Sequence, residues 1–574
     1  MDTTTLLSQK IKEAVEKLYN VKLETVVIEV PENEQFGDFS TNVALTITKQ
    51  LKKVPFDIAS ELAMELSSYD MKSFAKVEAI RPGFINFKLS KNYLLSNMCT
   101  ILQEKDSYGS SKIGGGRNVI VEYSQPNPNK PMHIGHSLNN FLGSSLAQIM
   151  EFMGYKVLKA NYMNDWGTHI VKSMLMYKKY GNGAEPNEKS DHFVGKFYVM
   201  YEQELEKNKE LADELADMFR KMESLDPEVL ELWKKITNWV YTGWEQTYRD
   251  ENVKFDTWFY QHDYRESGKE VVAAALEKGI AEKDPTGAVI ARLEKYGIPD
   301  KVLLRSDGTS IYSTQDLQLA KDNYEKYHFD KRLYVVDARQ SDYFKQIFKI
   351  TEILGFEFAN KLHHVAYGFV SLPEGKVSSR KGTTVNADEV FRRLCELERG
   401  EITGSVKGAA GSDETIRRVA LAAYRYALLK VDPAQDIIFN YEKVTKFDGN
   451  TGPYILYTYA RANSVMEKAG YMDETLEEFK WNSVELDAKE EALLRILTRF
   501  GAVVENACNS FSPNFIANYI YDVAQKFNSF YSACPILDAP TPDKKMLRLV
   551  LTKAASQVIK NGLALLVIDV VEKM

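Results

Sequence analysis

Cysteine is scarce in this chain, with four among 574 residues, at Cys99, Cys395, Cys508 and Cys534. They stand too far apart for a paired zinc spacing and are too few to staple a chain of this length, which excludes a disulfide scaffold and suits a reducing cytoplasm. Long apolar runs are missing as well. The longest, near Ala420–Leu429 and Leu563–Val571, fall short of the roughly 18 to 20 residues that cross a bilayer, so no membrane role is expected. The start, Met1-Asp2 and three threonines, lacks the basic segment and apolar core of a secretory leader. Cationic excess is absent: 73 Lys plus Arg stand against 80 Asp plus Glu, a formal charge of −7. A chain-wide field for nucleic acid is therefore excluded, and any such contact has to be a local, salt-sensitive patch. There is no internal repeat.

What is present has the composition of a globular protein of about three to five domains. A helical pattern at about 5–19, an apolar strand Leu23–Val30, helical patterns near 40–68 and the alternating Phe84-Ile85-Asn86-Phe87 predict a small α+β unit over 1–112. The run Gly114-Gly115-Gly116 marks a linker. Next come a strand over Asn118–Ser124, a proline-rich turn, a helical pattern over Gly135–Met153 and a strand over Lys156–Asn161, which together form a βαβ unit. A charged helical region at about 196–250, with Trp233, Trp239 and Trp244 as core residues, reads as part of an insertion at about 181–252. The strands Leu333–Val336 and Val365–Val370 supply the second half of a parallel sheet, closing an α/β domain over 113–390. A helical connection over 391–450 and an all-helical domain over 451–574 follow, the latter with apolar helical spacing in Leu493–Val504, Phe515–Phe530 and Met546–Val567.

The most informative segment runs from Ser124 to His136, between a strand and a helix start. In an open parallel sheet such a turn lies at the carboxyl edge where ligands bind, and the helix start offers backbone N–H groups and partial positive charge to phosphate. Gly135 lets a flat base approach the backbone, and His133 and His136, three apart, can face one phosphate chain. A pair of histidines at this spacing is ordinary by itself; two of only eight, in one loop at the phosphate-binding place of a βαβ unit, are not. The loop Leu372–Gly382 collects Lys376, Arg380 and Lys381 with two hydroxyls, a basic loop suited to pyrophosphate.

His133-Ile-Gly-His136 after a strand, and Lys376-Val-Ser-Ser379 where a KMSK loop belongs, resemble the class I aminoacyl-tRNA synthetases. Within that class the similarity is to the arginyl branch, carried by Val121 to His136, Asn164-Asp-Trp-Gly-Thr168 and Gly375 to Gly382. At the front, Pro31 to Phe39 and Gly83 to Phe87 look like that branch's N-terminal domain; at the back, Asn450 to Tyr457 and Gly562 to Leu566 look like its anticodon-binding bundle. The fold class implied is α/β: a Rossmann-type parallel-sheet catalytic domain with a helical insertion, an N-terminal α+β domain and a C-terminal helical bundle. The substrates implied are ATP with Mg²⁺, L-arginine and tRNA(Arg), handled by a cytoplasmic monomer without structural zinc. The resemblance also implies that arginine activation waits for tRNA.

Residue by residue, the resemblance assigns ATP binding to Lys130, His133, Gly135, His136, Lys376, Ser378 and Ser379. The surrounding HIGH region comprises Pro126, Asn127, Pro128, Asn129, Lys130, Pro131, Met132, His133, Ile134, Gly135 and His136. Val377 and Ser379 depart from KMSK, and Lys130 resembles the substitute for the missing second lysine. Glu122 and Asn127 would hold the amino end of arginine, Tyr312 and Asp316 its guanidinium, and Gln340 would add a contact. Tyr312 and Asp316 are four apart, so a helix would put them on one face. Asn86 would face the tRNA elbow, with Phe84 and Phe87 either flanking it or serving as core. Tyr457, Arg461 and Met574 look like anticodon-facing positions, Tyr457 fitting helix packing equally. No role is assigned to His169. Two other readings remain at this point: a HIGH-type enzyme for another amino acid, and a non-catalytic tRNA-binding relative. Acids at positions matching a guanidinium pocket oppose the first; intact His133, His136 and Lys376 oppose the second.

Overall fold

The computed structural model describes residues 3–31, 33–69, 72–373, 385–405, 412–471 and 484–574. Lys376, Ser378 and Ser379 lie outside them. In the N-terminal part, β1 (Phe39–Thr41), β2 (Phe74–Ile80) and β3 (Phe84–Leu89) form an antiparallel sheet in the order β1-β3-β2, covered by the helices Val43–Leu51 and Pro55–Ser68. The expected strand Leu23–Val30 is not a strand: Glu29 alone bridges, to Ser40.

The central sheet is parallel throughout. It contains β4 (Asn118–Glu122), β5 (Lys156–Met163), β6 (Thr257–Tyr260), β10 (Lys331–Asp337) and β11 (Leu362–Tyr367), in the order β11-β10-β4-β5-β6. Val119, Ile120 and Val121 are buried, the unbroken apolar run of a strand covered on both faces. The chain adds β5 and β6 on one side of β4, then β10 and β11 on the other. A crevice therefore opens between the carboxyl ends of β4 and β10, where the strand order reverses. The helix Ile134–Phe152 packs against β4 through Gly143, where a Cβ would stand 2.2 Å from Tyr123 Cγ, so only glycine permits this approach.

The reading of the chain after the insertion as the second half of a parallel sheet needs two corrections. A small antiparallel sheet, β7 (Ala281–Lys283), β8 (Val289–Ala291) and β9 (Lys301–Leu304), intervenes before the helix Tyr312–Tyr327. Its hairpin turn is built by Asp284, whose Oδ1 accepts from Thr286 and Ala288 N–H at 2.8 and 3.0 Å. The expected strand Val365–Val370 is also interrupted. β11 ends at Tyr367, and Val370–Ser371 pairs instead with Ile437–Ile438, because Gly368 lies against the Gln435 backbone.

Four helices, Thr168–Tyr180, Ser190–Lys207, Leu211–Glu223 and Pro227–Asp250, fill the region between β5 and β6, with Trp233 and Trp244 buried. Among the described residues, five helices between Gly452 and Leu565 form the C-terminal bundle. Arg425, fully buried, ties that end of the chain to the sheet domain: it donates to the Glu251, Asn252 and Leu566 carbonyls and to Ser144 Oγ. No helix of the described residues is long and apolar enough to cross a membrane.

Candidate active site

β4 ends in a turn that two buried asparagines hold in place. Ser124 and Gln125 adopt φ of +80° and +44°, the left-handed region that non-glycine residues rarely enter. Ser124 N–H donates to Asn139 Oδ1 at 2.7 Å and Gln125 N–H to Asn161 Oδ1 at 3.1 Å. Asn139 also donates to Val335 O and to the Tyr367 hydroxyl, so one side chain fixes the turn against β10 and β11. The chain then runs through the proline loop to the helix start.

The sequence suggested that free backbone N–H groups there would receive phosphate. Those of residues 134–136 are engaged instead. Ile134 N–H donates to Val385 O, Gly135 N–H to His133 Nδ1 at 3.1 Å, and His136 N–H to His133 O at 2.7 Å. His133 N–H in turn donates to His136 Nδ1 at 3.0 Å, closing a capping box made by two imidazoles whose centroids lie 3.8 Å apart. Because both Nδ1 atoms accept, each ring is neutral and carries its proton on Nε2. Burial, then the nearby Lys130 charge, pulls His133 down to about 4; burial, then His133, pulls His136 well below its ordinary value. Gly135 has a tighter reason than base access, since a Cβ would sit 3.0 Å from the His133 ring.

A cavity of about 680 Å³ lies over the crevice. His133, Gly135 and His136 line one part; Glu122, Asn127, Tyr312, Asp316 and Gln340 line it as well, so the structure gathers eight of the expected residues around one space. Tyr312 opens the helix Tyr312–Tyr327 and Asp316 stands one turn later. Burial, opposed by a hydrogen bond from the Tyr343 hydroxyl and reinforced by Glu122, pushes Asp316 up to about 7. Glu122 is buried, accepting from Arg332 Nη2 and, at 3.2 Å, from Gln125 Nε2. Asp337 is paired with Arg339 at 2.6 Å.

Lys130 is not brought into this cavity. It lines a neighbouring cleft of about 450 Å³ that shares His133, with Nζ 5.7 Å from the Tyr198 ring centre. Pro126, Pro128, Asn129, Met132 and Ile134 are buried and Pro131 is half-buried, serving the loop's packing. His169 Nε2 lies 2.6 Å from Asn164 O, a bond that fixes the Asn164–Thr168 turn.

Asn86, expected to face RNA, is buried and accepts from Ser40 Oγ at 2.7 Å, and Phe87 is wholly buried: in this sheet the amide braces β3 against β1. Tyr457 is 37% exposed. The Arg461 guanidinium lies 4.7 Å from its ring and 5.3 Å from that of Tyr531, forming an open aromatic-cation surface. Met574 is half-buried at the chain end.

Sequence reasoning missed Gln125, Asn139, Lys301 and Tyr343, all lining the cavity. Asn139 and Asn140, paired inside an otherwise apolar helix, were a legible signal. Lys301 and Tyr343 gave none, since they reach the cavity from β9 and from the helix Ser341–Leu354 only through folding.

Parallel strands in this order, a ligand crevice at the switch point and two neutral histidines capping the first helix define the catalytic domain of a class I tRNA synthetase. The family model "tRNA synthetases class I (R), catalytic domain" matches residues 97–441, "Arginyl tRNA synthetase N terminal domain" matches 5–89, and "DALR anticodon binding domain" matches 455–574. The chain is 36% identical to the arginine–tRNA ligase of Phocaeicola vulgatus over 99% of both chains, and 37% identical to that of Treponema denticola over 96% and 95%. The arginyl-tRNA synthetase of Thermus thermophilus superposes with a TM-score of 0.84 at 25% identity, over the full length of both chains. This chain belongs to the arginyl-tRNA synthetase family.

Proposed function

We propose that the chain is an arginine–tRNA ligase, making L-arginyl-tRNA(Arg), AMP and diphosphate from ATP, L-arginine and tRNA(Arg) through an arginyl-adenylate. One observation carries the reading: a single cavity is lined both by the neutral imidazoles of His133 and His136 and by the half-buried acid Asp316. The arginine carboxylate is ionised at neutral pH and attacks the α-phosphorus of ATP without a general base, so positioning and charge stabilisation supply the rate. With the helix-start amides engaged, the two Nε2–H groups are the donors offered to the phosphates, fixed in tautomer before substrate arrives. Lys376 and the hydroxyls of Ser378 and Ser379 belong to the same phosphate-binding role on the family resemblance alone.

Asp316 receives the guanidinium, with Tyr343 holding one of its oxygens and Tyr312 over the opening. Glu122 and Asn127 receive the α-ammonium, and Gln340 lies at the rim. Mg²⁺ arrives as the counter-ion of ATP: the carboxylates lining the cavity already hold Arg332 and Gln125, Tyr343, or Arg339, while Mg²⁺ favours phosphate oxygens and water. Tyr457 and Arg461 form the anticodon-facing platform, to which the family resemblance adds Met574, and the terminal ribose hydroxyl of tRNA takes the arginyl group from the adenylate. The family resemblance gives a monomer, and four unpaired cysteines suit the cytoplasm.

The test is ATP-dependent attachment of labelled arginine to total tRNA, with lysine as competitor and Asp316→Ala beside the wild type. Charging by arginine alone, lost in the variant, is expected. Charging with another amino acid would overturn the pocket assignment, and tRNA binding without charging would overturn the enzyme.

A further inference from the structure

Arg332 has no place in the roles above. It stands inside the sheet on β10, with its side chain wholly buried, below the cavity and not among its lining residues. Nη2 donates to Glu122 Oε2, and the guanidinium lies 4.8 Å from the Tyr334 ring. Nε and Nη1 have no partner among the described residues. A fully desolvated cation with two idle donors is an expensive way to fill a core, so packing does not account for it.

The cavity above it explains the placement. Two carboxylates, the buried Glu122 and the half-buried Asp316, line the same space, and the charge of Glu122 disfavours that of Asp316. A cation beside such a pair offsets the repulsion. Arg332 faces both from below; Lys301 from β9 stands beside Asp316, with Nζ 4.4 Å from the Tyr343 ring; Tyr162 and Tyr343 face Asp316 from β5 and from the helix Ser341–Leu354. Of these cations only Arg332 bonds a cavity acid directly.

We propose that Arg332 is a positioning residue for amino acid selection: it binds one oxygen of Glu122 from beneath the cavity, turns the other toward the substrate ammonium, and leaves Asp316 without a direct ion pair, as the acid that a guanidinium must match. Arg332 touches no reacting atom, and its effect falls on arginine rather than on ATP. The inference rests on the assignment of Glu122 and Asp316 to arginine.

The experiment measures arginine- and ATP-dependent charging by Arg332→Met and Arg332→Lys across pH 5.5 to 8.5, with melting temperature as a check on folding. In Arg332→Met the KM for arginine should rise about ten- to a hundredfold while the KM for ATP moves less than about threefold. The pH below which arginine binding weakens should climb by about one unit, because removing the cation makes Asp316 harder to ionise. Arg332→Lys keeps the charge and loses the planar fork, so it should restore the pH profile and leave the KM raised. In a Glu122→Gln background the bond to Arg332 is already lost, so the further Arg332→Met change, which also removes the buried cation left unpaired there, should add less than threefold. Equal changes in both KM values, an unmoved pH profile, or full additivity with Glu122→Gln would overturn the proposal. Asp316→Ala is run in parallel: if it leaves the arginine KM unchanged, the pocket assignment itself fails, whatever Arg332 does.

Discussion

The Tyr343 hydroxyl donates to Asp316, from a helix that begins 29 residues after the start of the one carrying the acid. This bond presets one oxygen of the guanidinium acceptor and leaves the other to the substrate. It makes Asp316 a preorganised group, which governs how its variants should behave.

Asp316→Asn should raise the KM for arginine by two to four orders of magnitude. Charged hydrogen bonds are worth about 1.5 to 3 kcal/mol each, and a bidentate acid loses two. The KM for ATP should hold, because His133 and His136 are untouched. Steady-state charging with each substrate varied in turn separates the two.

Acid should weaken arginine binding. Burial raises Asp316 from 3.8 to about 7, so below pH 7 the empty pocket holds a neutral acid, and binding a guanidinium has to expel its proton. The KM for arginine is expected to climb about tenfold per unit below pH 7 and to flatten above it. The same shift places a folding cost on Asp316 that grows as pH rises from 3.8 through 7. Calorimetry in buffers of different ionisation enthalpy should detect proton release at pH 6 and none at pH 8.

Gly135→Ala should damage the phosphate end alone. The added Cβ meets the His133 ring at 3.0 Å, so the ring has to turn and the reciprocal cap opens. Loss of a preorganised donor costs about 10² to 10³ in kcat. Arginine affinity, measured directly on the enzyme, is expected to stay as in the wild type.

Tyr457→Ala should raise the KM for tRNA while leaving activation-step parameters unchanged, since base stacking on an aromatic is worth about 1 to 3 kcal/mol. The effect should shrink in Arg461→Ala, whose guanidinium stacks on the same ring. A filter-binding titration at fixed salt reads it.

Arg425→Met should lower the unfolding midpoint sharply. The carbonyls of Glu251, Asn252 and Leu566 lose their donor together, at about 1 to 3 kcal/mol for each buried acceptor left unsatisfied. Urea denaturation followed by fluorescence measures the loss.

Sequence alone determined what local chemistry and period can determine. The apolar run of β4, the proline loop, the helix carrying His133 and His136, and the helical spacing of the C-terminal bundle are each contained within a few turns of chain, and the periodicities of 2 and 3.6 report them directly. Tyr312 and Asp316 came from the family resemblance, and their spacing of four added only that a helix would set them on one face. Tertiary structure decided the rest. Whether the helix-start amides were free depended on Val385, about 250 residues away, and on which nitrogen each imidazole offered. Asn86 lost its exposure because Ser40 sits across the sheet, and Lys130 turned to Tyr198 because the insertion packs there. The hairpin between β6 and the helix Tyr312–Tyr327 was too short and too polar to raise a periodic signal, yet it delivers Lys301 to the cavity. Charge balance is the clearest case: Glu122, Asp316 and Arg332 have no relation along the chain, and only the register of β4 with β10 makes them one electrostatic unit.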